Sequence, residues 1–213
     1  IENENIITSQ IQTTIDFELQ KKVTKILNEH YKSFSGNGIY NGAAIVIDVQ
    51  TNNVLAYFGN YYSEENKNNE NYVDNIIAPR STGSILKPIL YAAMLTSGEI
   101  MPNSLIADIP TFIAGYSPQN YNLTYEGAVP ASKALAKSLN VPAVKMLQSY
   151  GVEKFHHILQ KVGMTTLPFN PDHYGLSLIL GGCEGKLWEL TGIYASMSRS
   201  LNHFQDFSAK YDK

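Results

Sequence analysis

The distribution of apolar and polar positions predicts a helix and a β-hairpin in the first part of the chain. Capping residues at 13–16 precede apolar positions that fall on one helical stripe over about residues 17–31. Two runs of β-branched and aromatic residues follow at 43–49 and 54–59, separated by the polar turn 51–53. A short turn between two such runs indicates antiparallel strands.

Helical patterns dominate the remainder of the chain. Ser84 opens a segment that is apolar on nearly every side and stops at Gly98, which is typical of a helix buried in a core. Residues 101–129 are rich in Pro, Gly, Asn and Tyr, and we predict an irregular excursion over the surface there. Further helices are predicted at about residues 131–138, 142–150, 152–162 and 186–201.

Composition narrows the class of protein. With 213 residues, 44% of them hydrophobic, the chain is long enough for one core or for one core with a small additional lobe. The formal net charge of -3 favours neither nucleic acid nor an anionic membrane surface as a partner. No apolar run reaches about 18 residues, so a membrane anchor is expected only outside this chain. The single cysteine, Cys183, is predicted to be a small packed residue.

Ser84 and Lys87 form the first candidate for catalysis. A serine at a helix start with a lysine three residues later places both side chains on one side of the first turn, within hydrogen-bond reach. Burial lowers the pKa of a lysine, so its amine can accept the serine proton. The spacing alone is weak, because about one Ser-x-x-Lys is expected by chance in a chain of this size. A surface lysine near a helix cap is the competing interpretation.

Ser138 and Asn140 form the second candidate. They lie between one predicted helix and another that starts at Pro142, so their hydroxyl and carboxamide are expected to project from the corner between the two helices. Such a pair can relay a proton to a leaving group and bind a substrate amide. The competing interpretation is simple helix punctuation, since Ser and Asn are common near helix caps.

Four segments of the chain carry longer motifs than these two pairs. They are 80–88 (Arg-Ser-Thr-Gly-Ser-Ile-Leu-Lys-Pro), 116–120 (Tyr-Ser-Pro-Gln-Asn), 138–142 (Ser-Leu-Asn-Val-Pro) and 173–182 (His-Tyr-Gly-Leu-Ser-Leu-Ile-Leu-Gly-Gly). Together they resemble the bifunctional class A penicillin-binding proteins, particularly those of the 1C type, and the resemblance runs over almost the whole chain.

The resemblance implies an α/β (α+β) fold of the penicillin-binding and β-lactamase type, with an antiparallel sheet packed against helices. Residues 1–13 are then a linker from an upstream domain that is absent, and residues 14–213 are the N-terminal part of a transpeptidase domain. The family's third motif, Lys followed by Thr or Ser and then Gly, does not occur in this sequence. We therefore expect a domain truncated at the C-terminus, which puts the activity of the fragment itself in question.

The resemblance also implies a reaction. Ser84 would be acylated by the penultimate D-alanine of a peptidoglycan stem peptide, Lys87 would activate it, and Ser138 and Asn140 would assist proton transfer and substrate binding. β-Lactam antibiotics would acylate the same serine, and no metal or organic cofactor is implied. The expected location is periplasmic or otherwise extracytoplasmic. Two alternatives remain open: a D,D-carboxypeptidase or β-lactamase type hydrolase, and a non-catalytic penicillin-binding sensor or scaffold.

Overall fold

The structure of the chain is a computed structural model that describes residues 11–62, 69–113 and 115–207. Contacts divide the chain into two compact units. The first comprises Ile1–Ala78 and Leu190–Lys213, and the second comprises Pro79–Glu189. The predicted linker at residues 1–13 falls largely on residues 1–10, outside the described residues. Over the ranges that are described, no helix is both long and apolar enough to cross a membrane.

The first unit contains the predicted amphipathic helix and hairpin. Helix α1 spans Phe17–Ser35, and the side chain of Asp16 caps it by accepting a 2.8 Å hydrogen bond from the Leu19 N–H. Strands β1 (Ala44–Ile47) and β2 (Val54–Phe58) pair antiparallel. The carboxamide of Gln20 on α1 makes hydrogen bonds to both the N–H and the carbonyl of Tyr57 on β2. Both predictions are confirmed, and a side chain joins the two elements.

Helix α7, Leu187–Phe207, confirms the predicted final helix and extends beyond it. Within the first unit it buries Ile193 and Ala195. The guanidinium of Arg199 donates a 3.0 Å hydrogen bond to the carbonyl of Val49, beside the hairpin turn. The same guanidinium also donates to Asn52 Oδ1, so the Arg199 side chain joins this helix to the β1–β2 turn.

The second unit is mainly helical. Its helices are α2 (Lys87–Thr96), α3 (Ala131–Ala136), α4 (Asn140–Tyr150), α5 (Val152–Lys161) and α6 (Pro171–Tyr174), the last followed by a 3₁₀ helix at Gly175–Leu180. Helix α4 contacts α2, α3, α5 and the 3₁₀ helix, and it buries seven of its eleven residues. It is therefore the central element of this unit, and the burial of its apolar side chains stabilises the unit.

The predicted irregular excursion over 101–129 is wrong in part. Strand β4, Leu105–Asp108, pairs antiparallel with β5, Gly127–Pro130, in a register that runs from Leu105 opposite Pro130 to Asp108 opposite Gly127. A second short ladder joins β3 (Arg80–Ser81) to β6 (Glu184–Gly185). The sequence did not predict these strands because each is short and its partner lies far away in sequence. No local alternation of apolar and polar residues therefore indicates them.

Candidate active site

The turn that carries Ser84 lies before α2 rather than inside it. The prediction that the helix starts at Ser84 is wrong, because regular helix begins at Lys87. Pro88 supplies the reason: it has no N–H to offer the Ser84 carbonyl, which instead accepts a 3.2 Å bond from the Lys87 N–H. Ser84 is exposed, and the preceding Gly83 has a φ of 52°. The serine therefore projects from a tight turn into solvent.

The β3–β6 ladder holds this turn in place. The Thr82 N–H donates to the Cys183 carbonyl at 3.2 Å, and the Ser81 hydroxyl donates to the Gly181 carbonyl at 2.9 Å. Gly181 has a φ of 94°, and a Cβ built on it would lie 2.8 Å from the Gly83 nitrogen. Contact this close requires glycine at position 181. Cys183 is buried, as predicted.

Lys87 is almost fully buried, with 2% of its surface exposed. Its Nζ donates hydrogen bonds to the Ser138 carbonyl at 2.8 Å, the Ser138 hydroxyl at 3.2 Å and the Asn140 Oδ1 at 2.7 Å. Burial lowers the pKa of Lys87 from 10.5 to about 8. Desolvation penalises the ammonium form and outweighs the hydrogen bonds that favour it.

Ser138 occupies a strained position that presents it to Lys87. It has a φ of 52°, a conformation that glycine usually occupies just after a helix. The Ser138 N–H donates to the Leu135 carbonyl and the Leu139 N–H donates to the Ala134 carbonyl, which together close the end of α3 as a Schellman motif. Leu139, Ala134 and Val129 form the accompanying apolar cluster. The α3 ending thus directs both oxygens of Ser138 at the lysine.

Asn140 is the first residue of α4, which begins two residues before the predicted Pro142. Its Nδ2 donates to the Gln119 carbonyl at 2.9 Å, while its backbone N–H donates to Asn120 Oδ1 at 2.9 Å. Asn120 in turn donates to Asp108 at 2.7 Å. Asn120 belongs to the motif 116–120, which contributes to the family resemblance, but the sequence assigned it no role. No sequence signal singled out Asp108.

The structure brings together three of the four predicted site residues. Lys87, Ser138 and Asn140 are joined directly, and three acceptors match the three N–H groups of the ammonium. In the described part of the chain, neither a hydrogen bond from Lys87 to Ser84 nor a partner for the Ser84 N–H is present. A neutral Lys87 needs only two of its acceptors, which leaves its lone pair available to take up a proton. Over the same described residues, no cluster of three or more His, Cys, Asp or Glu side chains is placed to hold a metal ion.

Comparison with known proteins identifies the fold and the family. The family model described as the penicillin binding protein transpeptidase domain matches residues 42–201. Penicillin-binding protein 1C of Escherichia coli (strain K12) is 32% identical over 192 residues, which are 90% of this chain and 24% of that protein. The chain thus spans about a quarter of the length of this relative.

Solved structures agree. Penicillin-binding protein 1A from Haemophilus influenzae is 25% identical, with a TM-score of 0.60 over 73% of this chain and 23% of that one. The PonA1 protein from Mycobacterium tuberculosis in complex with penicillin V is 20% identical, with a TM-score of 0.71 over 89% of this chain and 51% of that one. The second likeness supports the fold alone, and both confirm the predicted α/β penicillin-binding architecture. With the family model covering most of the chain and a motif-bearing site at its centre, this chain belongs to the transpeptidase domain family of the penicillin-binding proteins.

Proposed function

We propose that this chain carries the acylation site of a peptidoglycan D,D-transpeptidase, with Ser84 as the nucleophile. The observation that carries the proposal is the buried Lys87, whose ammonium is matched by Ser138 and Asn140 and whose pKa is lowered to about 8. A lysine that titrates close to neutral pH suits a general base, and it lies three residues after an exposed serine.

In the proposed acylation step, neutral Lys87 takes the Ser84 proton as Oγ attacks the carbonyl carbon of the penultimate D-alanine. The tetrahedral oxyanion is stabilised by the Ser84 N–H, which donates to no other described residue. The C–N bond then breaks, and the leaving D-alanine nitrogen receives the proton from Lys87 through the Ser138 hydroxyl, 3.2 Å from Nζ. The products are a Ser84 ester and free D-alanine.

In the second step an amine of a neighbouring stem peptide attacks the ester carbonyl. The amine passes its proton to Lys87, and the Ser84 oxygen takes that proton as it leaves, so the enzyme is regenerated and one peptide bond is formed. Asn140 donates or accepts at the substrate amide beside the lysine. β-Lactams acylate Ser84 in the same way, but their leaving group remains tethered to the acyl chain.

Partners and location follow from this substrate. The proposed ligands are peptidoglycan stem peptides and β-lactam antibiotics, and the formal net charge of -3 does not favour nucleic acid as a partner. Because stem peptides are cross-linked outside the cytoplasmic membrane, we place the domain in the periplasm or an equivalent extracytoplasmic space.

Intact-protein mass spectrometry with benzylpenicillin tests the assignment. We expect the wild-type chain to gain one antibiotic mass and Ser84→Ala to gain none. Ser97→Ala is the matched control, because Ser97 lies at the far end of α2 and, among the described residues, its hydroxyl forms hydrogen bonds only with Met94 and Glu99. This variant should label like the wild type.

The outcomes separate the alternatives. Labelling that survives in Ser84→Ala would refute Ser84 as the nucleophile. If neither this chain nor the full-length product of its gene is labelled, the catalytic proposal fails in favour of a non-catalytic module. If labelling succeeds, adding an amine acceptor to a D-alanyl-D-alanine substrate distinguishes the enzymes: a transpeptidase forms the amide product, whereas a carboxypeptidase releases only the hydrolysed peptide.

A further inference from the structure

We infer that Asn120 and Asp108 form a positioning pair that holds Asn140 against Lys87, and that acylation depends on this pair although neither residue touches the lysine. The inference rests on the proposed function, since it concerns the same site. Asn120 lies in the motif 116–120, for which the proposed chemistry has no use. Both residues are deeply buried, Asn120 with 2% and Asp108 with 0% of its surface exposed.

Helix α4 begins without a cap of its own. Its N-cap residue is Leu139, whose side chain cannot accept a hydrogen bond, and the first N–H groups of a helix have no partner within it. Asn120 Oδ1 fills this role from a distant loop, accepting from the Asn140 N–H at 2.9 Å and from the Val141 N–H at 3.2 Å. The helix start that presents Asn140 is therefore set by Asn120 rather than by the local sequence.

The same loop sets the direction of the Asn140 carboxamide. The Gln119 carbonyl accepts from Asn140 Nδ2 at 2.9 Å, which turns Oδ1 the other way, onto Lys87 Nζ at 2.7 Å. Residues 119 and 120 thus hold Asn140 at two points, one on its backbone and one on its side chain. With both hydrogen bonds formed, the Asn140 side chain has one orientation available at Lys87.

Asp108 fixes the orientation of Asn120. Asn120 Nδ2 donates to Asp108 Oδ1 at 2.7 Å and to the Thr124 carbonyl at 2.9 Å, which forces Asn120 Oδ1 toward α4. The other carboxylate oxygen of Asp108 accepts from the Glu126 N–H at 2.8 Å. A buried carboxylate is costly unless it is hydrogen-bonded. The favoured arrangement is therefore the one in which Asp108 accepts from both Asn120 and the Glu126 N–H. The path Asp108–Asn120–Asn140–Lys87 is continuous.

The polarity of the pair makes a rescue experiment possible in the full chain. Asn120→Asp faces one carboxylate with another, and Asp108→Asn turns an amide donor toward an amide donor or toward the Glu126 N–H. The double variant Asp108→Asn with Asn120→Asp restores a donor opposite an acceptor between the two side chains and keeps an oxygen for the two N–H groups of α4. It leaves the Thr124 carbonyl without its donor, so the expected recovery is partial. Asn170→Ala is the matched control: Asn170 is exposed and precedes α6 without a side-chain capping bond.

Two readouts are measured for every variant, together with its melting temperature. The first is the rate of benzylpenicillin acylation, which we expect to fall on the order of 100-fold in Asn120→Ala and in each single polarity variant. The second needs no ligand: the pH titration of the Lys87 ¹³Cε signal, assigned with Lys87→Met. Loss of the Asn140 acceptor removes a bond that favours the ammonium, so the Lys87 pKa in Asn120→Ala should fall by about half a unit or more.

The double variant should recover at least about tenfold of the lost acylation rate, while Asn170→Ala changes neither readout. The inference is overturned if Asn120→Ala leaves the Lys87 titration unchanged, or if Asn120→Ala is acylated as fast as the wild type at equal melting temperature. If neither the wild-type chain nor the full-length product of its gene is acylated, the proposed function fails. The Lys87 titration still decides whether Asn120 positions the site.

Discussion

The depressed pKa of Lys87 makes a quantitative prediction for acylation. At pH 7 a lysine with the ordinary pKa of 10.5 is neutral in about one molecule in 3,000, whereas at a pKa of about 8 it is neutral in about one in ten. Burial therefore supplies about 300 times more of the neutral base. If Lys87 accepts the Ser84 proton, the acylation rate should rise about tenfold per pH unit below pH 7.5 and level off above about pH 8.

Initial acylation rates with a fluorescent penicillin, corrected for spontaneous β-lactam hydrolysis at each pH, give this profile. Lys87→Arg is the companion variant, because a guanidinium stays protonated across the whole range and cannot act as the base. We expect its acylation rate to fall more than about 1,000-fold. A profile that keeps rising to about pH 10.5, a profile that is flat below pH 8, or an active Lys87→Arg protein would each refute the assignment of Lys87 as the base.

Three further predictions concern stability. Between about pH 8 and 10.5 the unfolded state keeps the Lys87 proton while the folded state loses it. The free energy of unfolding, measured in urea relative to Lys87→Met, should therefore rise by up to about 3 kcal/mol across this window. A difference that stays constant with pH would contradict the lowered pKa of Lys87. Ser138→Gly and Ser138→Ala both lose the hydroxyl that Lys87 contacts and should slow acylation, but only Ser138→Gly relieves the positive φ, so it should be more stable than Ser138→Ala by about 1 kcal/mol. Gly181→Ala meets the Gly83 backbone and should cost about 1–3 kcal/mol more in thermal unfolding than Gly163→Ala, which shares a positive φ but meets nothing within 4 Å; equal losses would exclude the contact as the cause.

The elements with a strong local period were predictable. Helix α1 follows from a capping residue and an amphipathic stripe, and the β1–β2 hairpin follows from two apolar runs around a polar turn. The boundary of a helix was less predictable where a proline removes a backbone hydrogen bond. The start of α2 moves to Lys87 because Pro88 cannot donate, and this shift takes Ser84 out of the helix and into an exposed turn.

For the candidate site, the sequence predicted which residues to consider but not which of them contact one another. The spacing of Ser84 with Lys87 and of Ser138 with Asn140 named candidate residues, and their resemblance to a family joined them. The spacing also suggested direct contact between Ser84 and Lys87, but the hydrogen bonds of the lysine go to the other pair instead. Nothing in the local sequence indicates that Asp108 belongs near them.

The sequence alone determined the family, the presence of the main helices and the four candidate site residues, because these depend on periodicity and on short motifs formed by neighbours along the chain. Only the tertiary structure decided which side chains meet. The burial that lowers the Lys87 pKa, the Asn120 cap on α4 and the support of the Ser84 turn by Gly181 all join residues that lie about 20 to 100 positions apart. Burial and hydrogen-bond geometry arise from those distant contacts, so no local pattern of residues encodes them.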